Sequence, residues 1–271
     1  MDYLTLNTGK QVPVLGFGTY EIPPQATEAA VTAALSAGYR SIDTAQYYNN
    51  EAEVGTAIRK ANLQRANVFI TTKAATTGYE ATREGIDQSL RTAGLDYFDL
   101  MIIHWPMGDS LGTYRALEEA MRAGKLKQIG LSNFNIRQTK EILTNFATIP
   151  AVDQIETHLF LQQTKMHQFL TANHIVHEAW SPLIEGPRTL AQQPVLAKLS
   201  KKYQKTPIQI VLRFLTQNQI MTIPRSVNPD HIRQNFDIFD FKLTDEEMQQ
   251  IMQLDRHQSA VGWPSAMAED E

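Results

Sequence analysis

Cysteine is absent from the 271 residues. The absence excludes disulfides, a thiolate nucleophile and any cysteine-ligated metal, and it fits a reducing compartment. An excess of one charge sign is also missing. Twenty-five basic residues face 29 acidic ones, a net charge of -4, so the chain carries no general attraction for nucleic acid or anionic membrane. A local basic patch for a phosphate stays compatible with that balance. No apolar run approaches the roughly 20 residues of a membrane span. The most apolar stretch, 208–215, is broken by Gln209 and Arg213. The opening MDYLTLNTGKQVP has neither a basic n-region nor an apolar h-region, so no signal peptide is expected and a cytoplasmic location is. No linker or low-complexity run divides the sequence, and one domain over 1–271 is expected.

What the chain does have is alternation. A hairpin is expected first, with strands 3–6 and 11–15 flanking the Asn7-Thr8-Gly9-Lys10 turn. Eight short apolar runs follow, at 15–18, 41–43, 68–71, 100–104, 128–131, 151–154, 175–178 and 221–223. Helical stretches lie between them at 27–36, 51–59, 83–92, 114–122, 137–145, 165–171 and 207–216, with another at 230–236. Short continuous apolar strands separated by helices predict a parallel sheet covered by helices. Thr206-Pro207 reads as a helix start, and Thr244 with Glu247 has capping-box spacing. Gly38, Gly94 and Gly124 stand where helices should end in a left-handed residue. The predicted fold is a (β/α)8 TIM barrel with an N-terminal β-hairpin. The rival, a doubly wound open sheet, would carry a G-x-G-x-x-G turn after its first strand. Gly16-Phe17-Gly18-Thr19-Tyr20-Glu21 lacks the third glycine, and no Walker A sequence occurs.

Ionisable residues fall where the strands should end: Asp43, Lys73, His104, Glu156 and His158. In a barrel those ends converge on the active-site mouth. Each has a plainer reading as well. Asp43 can cap the next helix, Lys73 can be a solvated loop lysine, and His104 can be a half-buried structural histidine. Tyr47 and Tyr48 are adjacent, and composition does not choose between them.

Several segments together resemble the aldo-keto reductase family. Asp43-Thr44-Ala45-Gln46-Tyr47-Tyr48-Asn49-Asn50-Glu51 is similar to its catalytic-tyrosine signature. Ile70-Thr71-Thr72-Lys73 and Ile103-His104-Trp105-Pro106 resemble its lysine and histidine strands. Gly130-Leu131-Ser132-Asn133-Phe134 and Gln154-Ile155-Glu156 look like its nicotinamide-amide site. Ala179-Trp180-Ser181-Pro182-Leu183 and Ile223-Pro224-Arg225-Ser226 match two further cofactor segments. The order is the family's, and the likeness is closest to small bacterial members that reduce diketogluconate or methylglyoxal.

The resemblance implies NAD(P)H-dependent reduction of aldehydes and ketones by a tetrad of Asp43, Tyr48, Lys73 and His104. Tyr48 is chosen over Tyr47 by the motif and would be the general acid. A cationic Lys73 is expected to lower its pKa. Asp43 would hold Lys73. His104 would orient the substrate oxygen and relay a proton at lower pH. Cofactor contacts are implied at Gly18, Thr19 and Asp43, at Ser132, Asn133 and Gln154 for the carboxamide, and at Trp180 for the ring. Ser181 and Leu183 would lie by the pyrophosphate. Arg225, Ser226, His231 and Asn235 would serve the adenosine end. His231 stands where relatives usually have arginine, and it is the weaker phosphate partner. A reduced preference for NADPH is therefore expected, with room for NADH. Plainer readings stay open for Trp180 as a core aromatic and for His231 as a helix-start surface residue.

Tyr20, Tyr48, His104 and Trp105 would contact a small carbonyl substrate. The short 107–112 segment suggests an open pocket. The tail 260–271, with Trp263-Pro264, either folds over the mouth or is a plain acidic end. Asp153 departs from the family's usual asparagine. No metal, nucleic acid or membrane partner is expected, and the protein is expected to be a monomer, a dimer remaining open. Two other functions compete: a cofactor-binding accessory protein with little turnover, and a metal-dependent hydrolase that would use Glu156 and His158.

Overall fold

The computed structural model describes residues 1–262. The chain opens on an antiparallel hairpin, β1 (Tyr3–Thr5) and β2 (Gln11–Pro13), in register Tyr3↔Pro13. The alternation then runs β3 (Phe17–Gly18), α1 (Pro24–Ala37), β4 (Ser41–Asp43), α2 (Glu51–Lys60), β5 (Phe69–Ala74) and α3 (Tyr79–Ala93). It continues with β6 (Phe98–Ile103), α4 (Ser110–Arg122), β7 (Leu126–Ser132), α5 (Ile136–Asn145), β8 (Val152–Glu156), α6 (Thr164–Ala172) and β9 (Val176–Trp180). Helices α7 (Gly186–Ala191), α8 (Pro194–Tyr203) and α9 (Pro207–Gln217) precede β10 (Met221–Thr222). Helices α10 (Pro229–Phe236) and α11 (Asp245–Met252) follow it. None of the described helices is long and apolar enough to cross a membrane.

Strands β3 to β10 form one sheet of eight, parallel and in chain order. The sheet closes on itself. Leu15, just before β3, bridges Thr222 of β10 in parallel. Across this seam Gly16 N donates to Thr222 O at 2.8 Å, Thr222 N to Val14 O at 2.9 Å and Gly18 N to Pro224 O at 3.1 Å. The fold is the expected (β/α)8 barrel with its hairpin.

The hairpin plugs the N-terminal end. Leu6 and Val12 are buried against Phe69, Leu100, Ile102, Val152 and Met221 from the strands. Each such side chain contributes about 1.5–3 kcal/mol of burial. Lys10 pairs with the buried Asp99 at 2.8 Å and fixes the hairpin to β6. The mouth at the strands' C-terminal ends is thereby left as the open end.

Local sequence sets most boundaries. Thr206 and Gln209 cap α9 reciprocally with Pro207 at its first position, and Thr244 and Glu247 cap α11 in the same way. Helices α1 and α3 end on Gly38 and Gly94, at φ 112° and 62°. The stretch 186–203, given no element from sequence, forms α7 and α8. Pro194 opens α8, and Leu196 and Leu199 bury one face of it. Strand β5 runs to Ala74, so Lys73 is a strand residue and not a loop lysine.

Gly18 belongs to the seam. A Cβ there would stand 2.8 Å from Ile223 O, a backbone atom that cannot swing aside. Gly18→Ala is expected to lower stability by about 1–3 kcal/mol, read as a drop in the urea midpoint. An unchanged midpoint would contradict the closed seam.

Candidate active site

The strand ends bring the ionisable side chains together. Asp43 is the last residue of β4, and Lys73 points into the same space from β5. Lys73 Nζ lies 2.5 Å from Asp43 Oδ1, 3.0 Å from Thr44 O and 3.1 Å from Tyr48 Oη. An ammonium has three N–H donors, and here each has an acceptor. Both charged side chains are almost fully buried, at 1% and 3% exposure. The other Asp43 oxygen, Oδ2, accepts from Gln154 Nε2 at 2.9 Å.

Tyr48 comes from a single 3-10 turn, Gln46–Tyr48, that ends on Asn49 with φ 55°. The turn is fastened by Gln46, which accepts from Ala75 N and donates to Ser89 Oγ. It is further held by Asn50, which ties Thr44 to the backbone of Thr19 and Ile22. The geometry resolves the two tyrosines. Tyr48 reaches Lys73, whereas Tyr47 is 72% exposed at the rim.

The electrostatics refine two expectations. Burial pushes the Tyr48 hydroxyl above the ordinary tyrosine value, and Lys73, acting downward, does not overcome it. The expected net lowering is therefore not found in this structure. Tyr48 keeps its proton, which is the state a donor needs. Burial, with Lys73 adding to it, pushes His104 down to about 3. His104 is therefore neutral, and an imidazolium relay would belong only to strongly acid solution. Burial alone would lower the Lys73 pKa, but Asp43 and Tyr48 together outweigh it and hold the ammonium above its ordinary value. Asp43 is itself pushed up by burial, against the pull of Lys73.

A second set of side chains borders this group. Trp180 Nε1 donates to Asn133 Oδ1 at 2.9 Å. Asn133 Nδ2 donates to His104 O and to Ser132 Oγ, and Ser132 Oγ donates to Gln154 O at 2.7 Å. Asn133, with φ 64°, is therefore committed to fixing Trp180 and His104. Gln154 uses its amide nitrogen on Asp43 and on Glu178, at 2.9 and 3.0 Å, which leaves its Oε1 as the acceptor. Glu178 is a residue that the sequence reading missed. Its only signal was position, two residues before Trp180 on the same strand. Thr19 is fully buried and binds Asp43 O through both its N and its Oγ, so it braces the site from behind.

The rim is aromatic. Tyr20, Tyr47 and Trp105 are exposed there, with Tyr20 5.1 Å and His104 5.7 Å from the Tyr48 ring, centre to centre. Ser181 turns at φ 52°, and Leu183 follows it within the same turn. At the far side Arg225 pairs with Glu21 at 2.7 Å, and Ser226 Oγ accepts from Asn228 N. His231 is exposed on α10 and Asn235 is buried on it.

Asp153 faces outward, toward Thr139 of α5, and burial pushes it well above the usual carboxylate range. As a neutral acid it occupies an asparagine-like place without entering the mouth. Glu156 and His158 fasten the mouth. His158 Nδ1 lies 2.7 Å from Glu185 and Nε2 3.2 Å from Glu156. Glu156 also accepts from Ser259 Oγ at 2.6 Å and Ala260 N at 2.8 Å. The start of the tail is thus anchored at the mouth, while Trp263 and the rest of the tail, 263–271, lie outside the described residues.

The chain matches the Aldo/keto reductase family over residues 14–256. It belongs to that family. This aldo/keto reductase is 40% identical over 255 residues to methylglyoxal reductase DkgA of Yersinia pestis, covering 93% of this chain and 92% of that protein. It is 38% identical to morphine 6-dehydrogenase of Pseudomonas putida, covering 93% and 90%. A solved aldo-keto reductase from a Medee basin deep-sea metagenome library superposes with TM-score 0.91 at 41% identity, covering 95% and 96%. Membership in the family makes the chain an oxidoreductase.

The anchor at the mouth has a pH signature. Burial disfavours the His158 imidazolium, but Glu156 and Glu185 outweigh it and raise its pKa to about 9 from 6.5. The stability this contributes is fully present below pH 6.5 and is lost as pH rises through 9. Denaturation of wild type and His158→Gln is expected to show a gap that narrows over that interval. A gap independent of pH would contradict the charged anchor.

Proposed function

We propose that this protein reduces small aldehydes, ketones and 2-oxoaldehydes to alcohols with NADPH or NADH, Tyr48 acting as the general acid. The observation that carries the reading is the contact of Lys73 Nζ with both Asp43 and Tyr48 at the barrel mouth. When bound, the reduced nicotinamide supplies the hydride for the carbonyl carbon. Tyr48 Oη donates its proton to the carbonyl oxygen. The Lys73 ammonium then faces the phenolate left behind and stabilises it, and Asp43 keeps Lys73 in place. Neutral His104 orients the oxygen through a ring nitrogen. Tyr20, Trp105 and the rest of the aromatic rim exclude water and suit substrates with an apolar part.

The residues fit the cofactor. Trp180 offers a flat face whose angle is fixed by its bond to Asn133. Ser132 and the free Oε1 of Gln154 suit a carboxamide. Ser181 and Leu183 would follow the pyrophosphate, and Arg225, Ser226, His231 and Asn235 the adenosine end. Arg225 can grip a phosphate in bidentate fashion, but Glu21 already holds it and His231 is a weak second cation. Both features support a modest preference between NADPH and NADH. The same reading has the chain working as a cytoplasmic monomer, on the support of a cysteine-free sequence and a site assembled within one chain. The family's methylglyoxal and morphine enzymes favour small or compact carbonyl compounds as candidates.

Oxidation of NADPH and of NADH by wild type and Tyr48→Phe, with a panel of aldehydes and diketones, tests this reading. Wild type is expected to consume both cofactors in a carbonyl-dependent way. Tyr48→Phe is expected to lose a factor on the order of 100–10,000 in kcat, with cofactor affinity by fluorescence changed only slightly. Full turnover by the variant would refute the assignment of the acid.

A further inference from the structure

Both Asp43 oxygens are used, Oδ1 by Lys73 and Oδ2 by Gln154. The other amide proton of Gln154 goes to Glu178 Oε2 at 3.0 Å. Gln154 and Glu178 are register partners on β8 and β9, so their side chains leave the sheet on the same face. Glu178 has no exposed surface, and Gln154 is 1% exposed. Two carboxyl groups thus share one amide, and the nearest cation, Lys73, spends its three donors on Asp43, Thr44 and Tyr48. A carboxylate at Glu178 would have a single neutral hydrogen bond, with Oε1 lacking any partner among the described residues. Burying an ion in such surroundings costs several kcal/mol, and a neutral acid avoids that cost.

We propose that Glu178 is a positioning residue for carbonyl reduction: as a buried carboxylic acid it holds Gln154 against Asp43, and its ionisation disables the proton-donating group in alkaline solution. The proposal rests on the reading of Tyr48 as the acid. Burial, reinforced by Asp43 and opposed by Gln154 and Lys73, pushes Glu178 up to about 8. The groups that face it are Asp43 on β4, Lys73 on β5 and Gln154 on β8, with Tyr48 beyond Lys73. Its register neighbour on β10 is the uncharged Met221. Below pH 8 one cation balances one carboxylate. Above it a second negative charge enters the site. That charge raises the Tyr48 pKa further, makes the hydroxyl a poorer acid, and draws the Gln154 amide away from Asp43. No covalent step is added, since the only change is one proton leaving Glu178 for solvent.

The test is the pH profile of kcat for reduction in wild type and E178Q, across a range spanning pH 8. Wild type is expected to fall up to about tenfold per pH unit above its break. E178Q, whose amide does not ionise, is expected to lack that break, each profile being scaled to its own plateau. The same break in E178Q overturns the proposal. Infrared titration of the D153N protein provides a reading that needs no E178Q fold and no turnover. With Asp153, a carboxyl that burial pushes well above its usual range, removed, a protonated-carboxyl band is expected to vanish as pH passes through about 8. Absence of any such titrating band overturns the proposal as well. A wild type that reduces no carbonyl compound would count against the proposed function, while the infrared result would still decide the state of Glu178.

Discussion

The buried pair of Asp43 and Lys73 is the interaction on which the mouth depends. Taking both ions out of water costs several kcal/mol each, and their attraction offsets this only where hydrogen bonding is complete. It is complete here: three acceptors surround the ammonium, and each Asp43 oxygen has a donor. That requirement fixes the neighbours. Thr44 must turn its carbonyl inward, the 46–48 turn must bring Tyr48 to Lys73, and Gln154 must reach across the barrel. Asn50, Gln46 and Thr19 hold those backbones still. The barrel contributes strands β4, β5 and β8 aimed at one point, and the plugged opposite end leaves that point as the open mouth.

One network reaches out from the pair through Gln154, and a second stands apart from it at the mouth. The first runs through Ser132, Gln154, Asn133 and Trp180 to the backbone of His104, so Trp180 and His104 are set by the same amides. The other links the turns after β8 and β9 and the start of the tail through Glu156, His158, Glu185 and Ser259. The first network is made of neutral groups and keeps the positive charge on Lys73 alone. The second carries its own charges, away from Tyr48. Separating them ties the mouth down without adding charge beside Tyr48.

Much of this was legible in the sequence because it was written locally. Strand and helix alternation, the caps at Thr206 and Thr244 and the strand-end positions of Asp43, Lys73 and His104 need only neighbouring residues to be read. Gly18 was expected as a cofactor contact, while its constraint at the seam could not be read, since it comes from Ile223, some 200 positions away. Helices α7 and α8 were passed over although Pro194, Leu196 and Leu199 carried a signal. Glu178 was invisible because an acid inside an apolar strand has meaning only once Gln154 and Asp43 are beside it. The direction of the Tyr48 shift was likewise hidden. It is a contest between burial and a neighbouring charge, and sequence reports the charge but not the burial.

The measurement that bears most directly on the role of the Asp43–Lys73 pair is single-turnover reduction of an aromatic aldehyde by cofactor-loaded Lys73→Met protein. In the proposed mechanism Lys73 stabilises the phenolate that Tyr48 leaves, and the variant removes that stabilisation. The mechanism predicts reduction at least about 100-fold slower than wild type, while the protein still folds and binds its cofactor. A folded variant that reduces the aldehyde at the wild-type rate would show that the pair supports the architecture and not the chemistry.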